Sequence, residues 1–132
     1  MALVDGTAQR ILVVDDNPFI GSLLRHGLSA EGYEVVIALD AETARKEFTA
    51  RSPDLVVIDM MISGGEGLML CRELRSGGQI QVLALSTIDL RSQALDAGAQ
   101  AFLGKPLEPL RLVSTIRDLL GTSALTRRAE EA

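Results

Sequence analysis

Five short apolar runs rich in β-branched residues, each separated from the next by a longer stretch with helical spacing, constrain the fold of this chain more than any other feature. They cover residues 11–14, 33–37, 55–58, 82–85 and 101–103. Alternation of this kind builds a parallel sheet, because a parallel neighbour is reached only by a crossover and the crossover is a helix packed on a sheet face. The run at 55–58 is apolar at every position, which suits a central strand covered on both sides. The expectation is an α/β fold, a five-stranded parallel sheet with helices on both faces. With 132 residues there is material for one such core and not two.

Local signals set the expected boundaries. Asn17 and Pro18 open a helix as cap and first-turn proline, with Phe19, Ile20, Leu23, Leu24 and Leu28 as its apolar stripe and Gly32 as its stop. Asp40 caps a second helix carrying Ala41, Ala44 and Phe48, which ends before Ser52-Pro53 because a residue preceding proline avoids helical geometry. Further helices are expected over 68–75, over 91–97 and from Pro109 onward, the last with Leu110, Val113, Ile116 and Leu120 toward the core. The folded unit is read as residues 9–121, with 1–8 as an N-terminal tail and 122–132 as a frayed tail or the start of a linker.

Composition excludes several function classes. A net charge of −5 and 3% aromatic content argue against direct nucleic acid binding by this domain, which needs clustered basic groups or stacking surfaces. A single cysteine, Cys71, rules out an internal disulfide or a thiolate zinc site and reads as a packing residue, and His26 reads as a surface group. No apolar segment approaches the ~20 residues of a membrane helix, and residues 1–10 lack a signal-peptide core, so a cytoplasmic protein without membrane contact is expected.

The residues just past the strand ends carry the chemistry. Asp15 and Asp16 come after the first strand, Asp59 after the third, Ser86 and Thr87 after the fourth, and Lys105-Pro106 after the fifth. Ligand sites of open parallel sheets lie beyond the carboxyl ends of the strands. Three carboxylates brought together there repel one another and call for a cation. Gly64-Gly65-Glu66-Gly67 is a weak nucleotide-loop candidate, since a dinucleotide loop comes after the first strand and an acid directly before it would repel pyrophosphate.

This set of residues resembles the receiver domain of bacterial two-component response regulators, of the kind that includes the chemotaxis regulator, over roughly residues 10–120. The resemblance implies the flavodoxin-like strand order 2-1-3-4-5. It implies that Asp59 is the phosphoacceptor, and that Asp15, Asp16, Asp59 and the main-chain carbonyl of Met61 hold Mg²⁺. Ser86 and Lys105 would contact the phosphoryl group. Ser86, Phe102 and Pro106, the last after a cis peptide bond, would form the switch. The implied donor is a histidine kinase or a histidine phosphotransfer protein. An output protein would read the surface of the fourth helix, fifth strand and last helix, which could also form a homodimer. The chain would be a switch and not an enzyme, apart from slow self-dephosphorylation. Elementary chemistry agrees: a carboxylate attacks an anionic phosphoryl group only where cations cancel the repulsion, and the loose transition state needs chiefly positioning and charge.

Departures from the family pattern carry expectations of their own. Ser63 stands where proline is common, which loosens the loop after Asp59, and Thr87 is larger than the usual Ala or Gly. Phe102 lacks a hydroxyl, so its ring is expected to be placed by packing alone. Met61 and Ile88 are apolar where receivers tune water entry, which implies a slowly lost phosphoryl group. Gln100-Ala101 replaces the acidic pair associated with winged-helix DNA-binding subfamilies and gives no support for that assignment. Competing readings are the receiver fragment of a larger multidomain regulator or hybrid kinase, and a phosphorylation-independent interaction module. A haloacid dehalogenase-like phosphatase is disfavoured because Met61 occupies the position of its second acid.

Overall fold

A computed structural model describes the backbone of residues 3–4 and 7–131 and the side chains of 8–121. The strands of the main sheet are β1 Arg10–Val14, β2 Glu34–Ala38, β3 Leu55–Asp59, β4 Gln81–Ser86 and β5 Ala101–Gly104. The helices are α1 Pro18–Ser29, α2 Ala41–Arg51, α3 Glu66–Ser76, α4 Arg91–Asp96 and α5 Pro109–Glu131. All neighbouring strands pair in parallel, in the order β2-β1-β3-β4-β5, so the expected fold class and strand order are both present.

The register carries alternate residues of each strand to opposite faces. Leu12, Val14, Val56 and Ile58 meet Leu70, Cys71, Leu74 and Ala94 on the side of α2, α3 and α4. Ile11, Val13, Leu55 and Val57 meet Leu24, Leu28, Leu112 and Ile116 on the side of α1 and α5. Every residue of β3 is therefore buried, which is why its sequence shows no alternation. Each leucine or isoleucine fully removed from water in these layers contributes about 1.5–3 kcal/mol.

The caps form where the sequence places them. Asn17 accepts from the Phe19 N–H at 3.0 Å with Pro18 at the first helical position, and Asp40 accepts from the Thr43 N–H at 2.7 Å. Ser52, the C-cap of α2, takes the left-handed conformation just ahead of Pro53.

Three local expectations are corrected. Leu110 is 79% exposed, and Leu112 takes its place in the core with Ile116 and Leu120. Buried residues four apart define that face, and Leu110 lies about 200° around the helix from Leu112. Phe19 is 65% exposed, because the buried stripe of α1 is Ile20, Leu24 and Leu28 and Phe19 turns out of it in the first turn. The backbone of α5 also continues past Gly121 to Glu131, since a lone glycine costs a helix only about 1 kcal/mol and no proline comes after it. At the other end, Leu3–Val4 and Thr7–Ala8 pair as a two-rung antiparallel ladder. No helix among the described residues is long and apolar enough to cross a membrane.

Candidate functional site

The carboxyl ends of β1, β3, β4 and β5 are each tied down one residue beyond or at the strand end. The Asp15 N–H donates to the Ala38 carbonyl at 3.1 Å, and the Met60 N–H to the Leu85 carbonyl at 2.8 Å. The Lys105 N–H donates to the Ser86 carbonyl, also at 2.8 Å. These bonds continue the sheet ladder to its rim, so the polar residues there are held by rigid backbone.

Strand alternation separates the acidic pair. Asp15 is buried at 1% exposure, while its neighbour Asp16 is exposed. One oxygen of Asp15 accepts from the Asn17 N–H at 2.9 Å and the other from Lys105 Nζ at 2.8 Å. Asp59, also buried, accepts from the Met61 N–H at 3.0 Å and from the same ammonium at 3.2 Å. Oxygens of Asp15, Asp16 and Asp59 lie within 4.8 Å of one another. The three acids expected from the sequence do converge.

The electrostatics arise from burial and from this convergence. Burial pushes the Asp15 carboxyl above its ordinary range, against the downward pull of Lys105 and the Asn17 N–H, and the Asp59 charge adds to the rise. Burial alone would lower the Lys105 ammonium, but Asp15 and Asp59 outweigh it and hold it above its usual range. Three clustered carboxylates with oxygen donors only, one of them open to solvent, suit a hard divalent cation such as Mg²⁺. The residues therefore fit the Mg²⁺ that the resemblance implies.

Ser86, Met61 and Pro106 lie at the same rim, and Phe102 lies two residues back within β5. Ser86 is buried, and its Oγ accepts from the Ile88 N–H at 3.0 Å in a local turn, leaving its proton free to donate. Met61 lies in the turn that folds back on Asp59, and Met61 and Ile88 are both exposed. The Lys105-Pro106 peptide bond is cis. Phe102 is 6% exposed and packs in the core layer beneath α4, and the Arg91 guanidinium stands over its ring at 5.2 Å from the centroid. Placement by packing alone is thus corrected: a cation–π contact, worth about 0.5–1 kcal/mol at an exposed site, also holds the ring.

Two features of the loop after Asp59 bear on the site. Ser63 adopts φ 49°, a left-handed conformation that proline cannot take, and is succeeded by Gly64 and Gly65, both at positive φ. Gly67 has a role that the sequence alone does not reveal. A Cβ there would lie 2.3 Å from the Asp59 carbonyl oxygen and 2.5 Å from Met60 Cα, so only glycine lets α3 start this close to the acidic residue. Its one signal is a glycine at fixed spacing from Asp59 at the start of a helix.

A profile of the response regulator receiver domain matches residues 11–117. The chain belongs to this family. It is 41% identical over 115 residues to the response regulator MprA of Mycolicibacterium vanbaalenii, covering 84% of this chain and 50% of that protein. It is 34% identical over 118 residues to the DNA-binding response regulator MtrA of Mycolicibacterium smegmatis, with 86% and 51% covered. The chain spans about half the length of the curated relatives it matches. Among solved structures it resembles the BeF3-activated receiver domain of Klebsiella pneumoniae RstA, with TM-score 0.77, 30% identity, and 85% of this chain and 98% of that one covered. It also resembles NtrX of Brucella abortus, with TM-score 0.84 and 34% identity, over 95% of this chain and 29% of that one. Proteins of this family are signalling switches.

Proposed function

We propose that Asp59 accepts a phosphoryl group from the phosphohistidine of a histidine kinase or histidine phosphotransfer protein. The observation that carries this is the grouping of the Asp15, Asp16 and Asp59 oxygens within 4.8 Å, bridged by Lys105 at 2.8 and 3.2 Å. An Asp59 oxygen attacks phosphorus in line, the nitrogen–phosphorus bond breaks, and the donor imidazole leaves with the bonding pair. Lys105 offsets the charge of the arriving group, and the Met61 N–H orients the carboxylate. Asp15, Asp16, Asp59 and the Met61 carbonyl are the residues that would hold Mg²⁺, which supplies the charge neutralisation that such a transfer needs.

The modified Asp59 gains roughly one and a half to two negative charges. The Ser86 hydroxyl then donates to the phosphoryl group, and Phe102 and the stretch around Pro106 settle with it. The change reaches partners through α4, β5 and α5 as a shift between two populations. The twofold length of the matched relatives favours a receiver portion of a larger regulator, whose output could be DNA binding of the kind that the name of MtrA states. The protein is proposed to work in the cytoplasm.

The test is direct. The chain is incubated with Mg²⁺ and acetyl phosphate beside its Asp59→Asn variant, and intact mass counts the phosphoryl groups added. One group on the parent and none on the variant is the expected result. An unmodified parent would sink the proposal.

A further inference from the structure

The rim of β5, an edge strand, carries a cleft of ≈ 230 Å³ between α4 and the start of α5. Phe102, Leu103 and Pro106 contribute apolar atoms to its lining, Arg91 enters it from α4, and Arg111 enters it from α5. Glu108 is the one acidic group in its lining.

The chain carries a net −5, and Arg10, Arg45, Arg51 and Arg117 are all paired with glutamates. Arg91 and Arg111, like Arg25, Arg72 and Arg75, have no carboxylate within ion-pair distance among the described residues, and Arg91 rests on the Phe102 ring, so the cleft holds two guanidiniums without an ion pair against one acid. Guanidinium is the side chain best shaped to grip a carboxylate with two parallel bonds. Exposed apolar surface lies beside both: Leu95 is one turn from Arg91 on α4, and Leu110 adjoins Arg111.

We propose that this cleft docks an acidic segment of a partner protein, a carboxylate held between Arg91 and Arg111 and a neighbouring leucine-type side chain resting against the exposed Leu95 or Leu110 beside them. The proposal rests on the reading of α4, β5 and α5 as the output surface and names the chemistry of the partner. A second copy of this chain fits less well, since in a two-fold pairing the lining offers one glutamate for two arginines. Because Arg91 also covers the Phe102 ring, the group that grips the partner touches the residue assigned to the switch.

The experiment uses the full chain labelled with ¹⁵N and two blocked peptides, Glu-Leu-Asp-Leu-Glu and its amide counterpart Gln-Leu-Asn-Leu-Gln. The acidic peptide is expected to shift the side-chain Nε–H signals of Arg91 and Arg111 and the β5 amides, saturably, while the amide peptide leaves them in place. Arg111→Gln should weaken binding at least fivefold, and Glu108→Gln should tighten it. Equal binding of the two peptides, an unchanged midpoint in Arg111→Gln, or shifts confined to another face would overturn the proposal. So would peptide-free shifts of the same signals with protein concentration, which would assign the cleft to a second copy. A parallel sample with Mg²⁺ and beryllofluoride reports on Asp59 through the 60–65 loop, so failure of the phosphoacceptor reading is seen separately.

Discussion

Replacing Gly67 by alanine should damage both stability and chemistry, and the size of the effect can be worked from the fold. The added Cβ would meet the Asp59 carbonyl oxygen at 2.3 Å and Met60 Cα at 2.5 Å, and both are backbone atoms of a buried stretch. Ordinary contact begins near 3.4 Å, so α3 must retreat by about 1 Å. Overpacking that no side-chain rotation can relieve costs about 3 kcal/mol, at the upper end of the usual range. In a chain of this length that lowers Tm by roughly 10 °C. The control is Gly77→Ala: Gly77 has φ −89° and nothing within 4 Å of its added Cβ, so this variant should match the parent or gain about 0.5 kcal/mol. Urea denaturation with an unchanged slope measures both. Acceptance of a phosphoryl group from acetyl phosphate should slow in Gly67→Ala by up to about a hundredfold, since a shift of this size misplaces the Asp59 carboxylate. A Gly67→Ala protein within about 0.5 kcal/mol of the parent would refute the close-approach reasoning.

Four further outcomes are expected. Lys105→Ala leaves Asp15 and Asp59 facing each other without their shared cation, from a side chain only 15% exposed, and should destabilise the metal-free protein by about 2 kcal/mol. Mg²⁺ should restore most of that in a denaturation series, and a loss that Mg²⁺ does not touch would contradict the assignment. Asp15 has a folded carboxyl above its ordinary 3.8, so the folded state takes the proton first. Metal-free protein should therefore gain stability relative to Asp15→Asn as pH falls from neutral toward that range, and lose the gain as pH rises through the folded value. For Lys105, raised above 10.5, the contribution is complete below that pH and disappears as pH climbs through its higher folded value. Phosphoform decay should take minutes or longer behind the apolar Met61 and Ile88, and Met61→Asn should quicken it. Decay of the parent within seconds, measured as phosphate release, would overturn that expectation.

The sheet and the acidic rim were legible because each strand is a short apolar run and the reactive groups come directly after those runs. Asp15, Asp16, Asp59, Ser86 and Lys105 could be named without coordinates for that reason. The errors arose where a face had to be chosen from period alone: Phe19 and Leu110 are apolar residues beside the buried stripe, and nothing local marks them as outward. Gly67 was hidden because its requirement comes from backbone that packs against it in space. The Arg91–Phe102 contact joins two elements whose relative placement no spacing rule supplies. The extra backbone of α5 arises from composition that tolerates a helix without demanding one.

Lys105 reaches Asp15 across 90 positions of sequence and Asp59 across 46. Contacts of such span are the last to repay the entropy of closing the chain. On a ribosome both acids are synthesised before the ammonium that offsets them, so a chain whose β5 has not docked carries the repulsion of the rim without its bridge. An intermediate lacking β5 would need a dissolved cation where the finished protein has its own. On the function proposed for Asp59, the site is complete only when β5 has brought Lys105 to it, so the ammonium bridge marks a chain folded to its final strand.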